Sequence, residues 1–137
     1  DFLLLSLLTL LLGLGMLSVG FLISSASPQT SAALGIAVAL WLVFVILGDL
    51  GIMGSSLVMS FQADTLLTVT LTNPLDTYKI LSVDLLNAST EVLGPAGIYA
   101  ADRFGGRLAM ILLLIEFVWI VVPFLLGGLL FRRMDYQ

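Results

Sequence analysis

LAMILLLIEFVWIVVPFLLGGLLF, residues 108–131, is apolar from end to end apart from Glu116, and Arg132-Arg133 close it. A hydrocarbon core about 30 Å thick needs roughly 20 mostly apolar residues at about 1.5 Å of helical rise each. The stretch meets that length. Only closed backbone hydrogen bonding survives in lipid, so it predicts a transmembrane helix. Two stretches of the same kind precede it, Phe2 to Ile23 and Ala32 to Val58, and the three together hold only two charges, Asp49 and Glu116. The expected fold is an all-α, polytopic helical membrane protein with spans at 2–24, 31–56 and 108–131. Short interfacial helices are expected between the second and third.

Composition points the same way. The chain is 60% hydrophobic and 10% charged, with a mean hydropathy of +1.18, against roughly 45–50% and 25% in soluble domains. Having no cysteine and no histidine, the chain lacks the groups for disulfides, for thiolate and imidazole metal sites and for the usual general base. Met16, Met53, Met59, Met110 and Met134 are scattered, whereas a soft-metal site needs its sulfur ligands clustered. No metal site and no cofactor is therefore expected. The net charge of −4 without a basic run excludes nucleic acid as a partner.

Gly15 to Phe21 has the outer glycines of a phosphate-binding loop but lacks the lysine and hydroxyl that grip phosphate and magnesium, so it reads as helix packing and the chain does not bind ATP itself. Intramembrane hydrolysis wants serine with histidine, paired aspartates or zinc ligands, and only one carboxylate lies deep in a span. An enzyme is not expected.

The first span carries Gly13, Gly15 and Gly20 with Ser6, Thr9 and Ser18, small residues that let helices approach closely where lipid supplies no hydrophobic drive. Ser24 to Thr30, with Pro28 inside, predicts a short reversing loop and an antiparallel hairpin. The second stretch exceeds the length of one span, so it tilts or breaks, and a break near Gly48 to Gly54 is favoured.

Residues 59–107 hold Asp64, Asp76, Lys79, Asp84, Glu91, Asp102, Arg103 and Arg107 and form the extramembrane segment. Asn73-Pro74 predicts an N-cap followed by proline at the first helical position, with Asp76 suited to the helix dipole. Leu75, Tyr78, Leu81 or Ser82, and Leu85 then line one face, opposite Asp76, Lys79 and Asp84, as in a helix lying at the membrane interface. A second short piece from Glu91 is cut by Gly94-Pro95 and Gly97. Asn87-Ala88-Ser89 matches a glycosylation acceptor, with no sign of the secretory route that would use it.

Glu116 is the sharpest single residue, because a carboxylate inside a span costs a few kilocalories per mole unless it is compensated. It reads as a substrate-path or gating residue, or as a structural group bonded to a neighbouring helix or snorkelling toward Arg107. Asp49, near the end of its span, carries the same two readings in milder form. Arg132 and Arg133 read as an anchor to the membrane face, while Trp41 and Trp119 read as packing residues. Arg103 and Arg107 at one end of the third span balance Arg132 and Arg133 at the other, so charge alone leaves the orientation open.

Phe21 to Ala33, the span with Trp41 and Gly48-Asp49, Asn73-Pro74-Leu75-Asp76-Thr77-Tyr78, Leu93 to Gly97 and the closing Phe131-Arg132-Arg133-Met134-Asp135 together resemble the last three helices of ABC-2 type permeases. Within them the resemblance runs to the NosY-like subgroup, membrane subunits of the ABC transporter that helps mature nitrous oxide reductase. It implies that residues 1–137 are the carboxyl-terminal half of a six-helix transmembrane domain. The start at Asp1 fits such a portion of a longer protein; a complete small three-helix protein or a trimmed mature chain is the alternative.

The resemblance further implies a multi-pass protein of the cell (inner) membrane with a cytoplasmic C-terminus, which would put Arg132, Arg133 and the Ser24 to Ser31 turn in the cytoplasm and residues 59–107 outside. The implied partners are separate ABC ATPase subunits, a second permease copy, membrane lipid and an external accessory protein. The cargo it suggests is sulfur-containing or otherwise non-metal, since these methionines suit copper poorly. The contrasting reading is a non-transporting anchor or scaffold that recruits an external partner through residues 59–107.

Overall fold

The computed structural model describes residues 2–53, 63–86 and 94–134. In order, the helices are α1 (Phe2–Ala26), α2 (Thr30–Met53), α3 (Ala63–Thr72), α4 (Pro74–Leu85), α5 (Gly94–Phe104) and α6 (Leu108–Met134), with a 3-10 turn, Gly105–Arg107, joining the last two. There is no strand among the described residues. Three helical stretches are long and apolar enough to cross a membrane: Phe2–Ala26, Thr30–Gly48, and Ala96–Arg132 taken through the 3-10 turn. The all-α, three-span architecture is what hydropathy and length dictate.

α1 and α6 form the main seam, and they run parallel. A Cβ on Gly15 would lie 3.8 Å from both Trp119 and Ile120, one on Gly127 would lie 3.2 Å from the Cα of Leu22, and Phe21 packs on Phe124 with ring centroids 5.6 Å apart. Residue numbers rise together on both helices, so Phe2 and Leu108 lie at one end of the bundle and Ala26 and Met134 at the other. Gly15 and Gly127 permit this approach. A Cβ added to Gly13 or Gly20 would meet nothing within 4 Å, so only part of the small-residue stripe serves packing within this chain.

α2 returns after Ser27-Pro28-Gln29, as the proline predicts. Met16, Val19, Gly20 and Ile23 of α1 meet Ala37, Leu40, Trp41 and Phe44 of α2 around a small cavity. Beyond Phe44, toward the Phe2 end, α4 occupies the space between α2 and the α1–α6 pair. Leu8, Leu67, Ile80, Leu81, Ala100, Leu108 and Leu112 form one buried cluster there, drawn from α1, α3, α4, α5 and α6.

Several expectations are corrected. α2 runs unbroken through Gly48 and Gly51 to Met53; glycine weakens a helix by only about 1 kcal/mol, too little to break one inside lipid, where the freed backbone groups would find no water. Gly54 lies outside the described residues. Gly94-Pro95 starts α5 and Gly97 lies inside it, because proline fits the first turn, where no intrahelical donor is needed. Trp41 is 51% exposed on the lipid-facing side, whereas Trp119 does pack, edge-on to Phe44 at 5.5 Å. Glu91 and the Asn87 to Ser89 acceptor lie outside the described residues.

The largest correction concerns α4. It does not present one apolar and one polar face: Pro74, Asp76, Thr77, Ile80, Leu81 and Ser82 are all buried. With α1, α2 and α6 around it, α4 has no single polar side left to offer water.

Candidate functional site

α3 and α4 make a helix–break–helix hairpin, Thr72-Asn73-Pro74 at its tip, with Asn73 and Pro74 buried inside the bundle and Thr72 exposed. Proline at the first position of α4 needs no donor partner, and Asn73 caps the helix, its Oδ1 accepting from the Leu75 amide. The expected cap is thus present. Its depth is new: Asn73 Nδ2 donates to the main-chain carbonyl of Phe44 at 2.7 Å. Phe44 is nine residues before the end of α2 at Met53, so the tip reaches about 14 Å down that helix at about 1.5 Å per residue.

A buried polar network surrounds the tip. Asn73 Nδ2 also donates to Asp76 Oδ2 at 3.0 Å, Thr77 Oγ1 donates to the Asn73 carbonyl at 3.0 Å, and Lys79 Nζ bonds Asp76 Oδ1 at 3.3 Å. Asp76 lies against Gly48 so closely that a Cβ there would stand 2.5 Å from Oδ1. On the other side the hydroxyls of Thr9 and Tyr78 meet at 3.0 Å. Periodicity assigns Asp76 to a solvated face; it is buried instead because its charge is answered by the amide and ammonium one turn to either side, which offsets the cost of leaving water.

Glu116 differs. It is 1% exposed, and neither carboxyl oxygen has a hydrogen-bond partner among the described residues. Neither structural alternative for it, a bond to a neighbouring helix or a snorkel to Arg107, is present among those residues. It sits one turn beyond Leu112 on the stripe of α6 formed by Leu108 and Leu112, which meets Ile80 and Leu81 of α4 in the same cluster, so its turn of α6 points toward the hairpin tip.

The other candidates are dispersed. Asp49 is in α2, next to the Gly48 that Asp76 packs on, and its side chain lies outside what is described. Arg132 is exposed in the last turn of α6, at the opposite end of the bundle from the hairpin; the side chain of Arg133 is not described. The structure thus brings α2 beside Asp49 together with the hairpin, and leaves the arginines apart. Sequence reasoning missed Asn73, Asp76 and Thr77 as an interior network. Their spacing, each three or four residues from a partner able to satisfy it, was the available signal.

A family model described as ABC-2 family transporter protein matches residues 1–136. Among curated proteins, a probable ABC transporter permease protein NosY of Stutzerimonas stutzeri is 30% identical over 126 residues, which cover 90% of this chain and 44% of the relative. The chain therefore spans less than half the length of that relative. No solved structure matches the chain.

Proposed function

Because the chain belongs to the ABC-2 family of transporter proteins, we propose that it forms part of the membrane-spanning subunit of an ATP-driven transporter and that the α3–α4 hairpin gates its path. Separate ATPase subunits supply the energy, and a second permease copy completes the path. The C-terminus with Arg132 and Arg133 lies in the cytoplasm, an orientation that rests on the family resemblance because Arg103 and Arg107 balance them in charge at the other end of the span. The hairpin end then faces outward and can meet an external accessory protein.

The observation that carries this reading is the wedge: α4 fills the cleft between α2 and the α1–α6 pair and is held by polar contacts, Asn73 to Phe44, Asp76 at Gly48 and Tyr78 to Thr9. Polar contacts can be exchanged for water when a cleft opens, and the packing of Ile80 and Leu81 against Leu8, Leu108 and Leu112 is what opening has to give up. Glu116, buried beside the wedge with no hydrogen-bond partner among the described residues, gains water or a polar cargo on opening; Asp49 sits on the helix the wedge leaves. The scaffold reading is less well supported, because α4 is packed into the bundle rather than displayed, although Thr65, Thr68, Val69 and Thr72 of α3 are exposed.

The chain has no cysteine, which allows a direct test. With Gly48→Cys and Asp76→Cys together, oxidation should tie the hairpin to α2. In the assembly purified with its ATPase and returned to bilayers, ATP turnover should fall at least tenfold on oxidation and recover on reduction. Unchanged turnover in the oxidised form refutes gating, and failure to co-purify any ATPase refutes the transporter assignment itself.

A further inference from the structure

Between the end of α3 and one face of α6 runs a groove of about 420 Å³, walled by Leu71, Ile111, Leu114, Ile115, Val118 and Trp119. Its single hydroxyl, on Thr72, is already donated to the Thr68 carbonyl at 2.7 Å, so the groove makes no polar demand. Leu114 and Val118 are exposed on the flank of an apolar span, and the groove opens to the side of the bundle. A gap of this kind in hydrocarbon does not stay empty, since unfilled walls forfeit their dispersion contacts.

What fills it is indicated by charge. Ile111, Leu114 and Val118 are three and four residues apart, so they follow one stripe of α6, and Arg107, the last residue of the 3-10 turn that leads into α6, is exposed where the apolar span begins. Among the described residues Arg107 has no ion pair or hydrogen bond, whereas Arg103, one turn earlier, donates to the Tyr99 hydroxyl at 2.8 Å. From Arg107 the groove residues lie roughly 6 to 18 Å down the helix at about 1.5 Å per residue. That is the reach of an acyl chain below its headgroup. We propose that this groove is a binding site for an anionic phospholipid, with one acyl chain against Ile111, Leu114 and Val118 and the phosphate on the Arg107 guanidinium, whose planar fork suits phosphate oxygens.

The test uses the intact protein in bilayers of equal phosphatidylglycerol and phosphatidylcholine, with a photo-crosslinking residue in place of Leu114 and adducts weighed by mass spectrometry. Lipid adducts enriched at least threefold in phosphatidylglycerol are expected. Arg107→Gln should return the ratio to that of the bulk lipid without changing the melting temperature, because Arg107 is exposed, and Val118→Trp should lower the total lipid adduct several-fold by filling the groove. Adducts in bulk proportion in the unaltered protein, adducts to a second copy or another polypeptide instead of lipid, or no effect of Val118→Trp each overturn the proposal.

Discussion

The side-chain amide of Asn73 reaches the main-chain carbonyl of Phe44, 2.7 Å away in the middle of another helix, while the same side chain caps its own helix through Oδ1. A helical carbonyl keeps a second lone pair after serving its own ladder, so the contact costs α2 nothing. Asn73→Ala removes the cap, worth about 0.5–2 kcal/mol, and strips Asp76 of a donor in a buried place, about 1–3 kcal/mol more. The expected result is a clear drop in melting temperature in detergent. Asn73→Asp should be no better, since it keeps the cap but sets a second carboxylate against Asp76; near-native melting of either variant contradicts the latch.

Gly48→Ala should disturb the hairpin without touching its polar groups. The added methyl would meet the Asp76 carboxyl, and overpacking of this sort costs about 1–3 kcal/mol. Limited proteolysis between α4 and α5 should accelerate, while Gly35→Ala, which meets nothing within 4 Å, should cleave at the native rate.

Along the parallel seam, neighbouring glycines should behave oppositely. At Gly127 a Cβ would press on the Phe21 ring and the Leu22 main chain, whereas at Gly128 it meets open space. Gly127→Ala is expected to lose about 1–3 kcal/mol by the same overpacking, and Gly128→Ala to be neutral or slightly stabilising, as alanine is the better helix former. Equal melting temperatures for the two would refute the close approach of α1 and α6.

Glu116→Gln should preserve assembly with the ATPase and impair ATP-driven turnover, if the carboxyl serves the path. Glu116→Leu should also impair turnover while leaving stability equal or higher, because it replaces an unpartnered buried polar group by an apolar one of similar reach. Full turnover in both variants removes Glu116 from the path.

Tyr78→Phe deletes a single hydroxyl contact with Thr9 at an exposed edge. A loss of about 0.5–1.5 kcal/mol is expected; Thr9→Val, which also gives up the Thr9 bond to the Leu5 carbonyl at 2.8 Å, should lose at least as much, and the double variant no more than Thr9→Val alone. Additive losses would show that the two hydroxyls do not bond each other.

Much of this fold was legible because lipid imposes so few solutions. Length and hydropathy alone placed α1, α2 and α6, Pro28 placed the turn, and Asn73-Pro74 placed the start of α4 to the residue. What escaped was where α4 goes. Periodicity assumes one wet face and one dry face, and a helix enclosed by three others has neither. Asp76 therefore looked like surface, when it was answering the hydrogen-bonding need of Asn73. The same local view overrated Gly48 as a breaker: its small size makes room for Asp76 across the interface, a relation no neighbour in sequence announces. Glu116 stood out because a lone carboxylate among leucines is conspicuous in one dimension, but its burial without a hydrogen-bond partner among the described residues could be known only in three.

Pro123 interrupts the donor ladder of α6 one turn after Trp119, because proline has no N–H to offer the Trp119 carbonyl. Before it, Leu108, Leu112 and Glu116 attend the hairpin; after it, Phe124 and Gly127 are clasped by Phe21 and Leu22. The last helix thus has a missing rung between two tenants, while Gly15 against Trp119 and Ile120 and Leu8 beside Leu108 and Leu112 hold the arm before that rung to α1 as well, so any flexing of α6 at Pro123 gives up no backbone hydrogen bond at that rung.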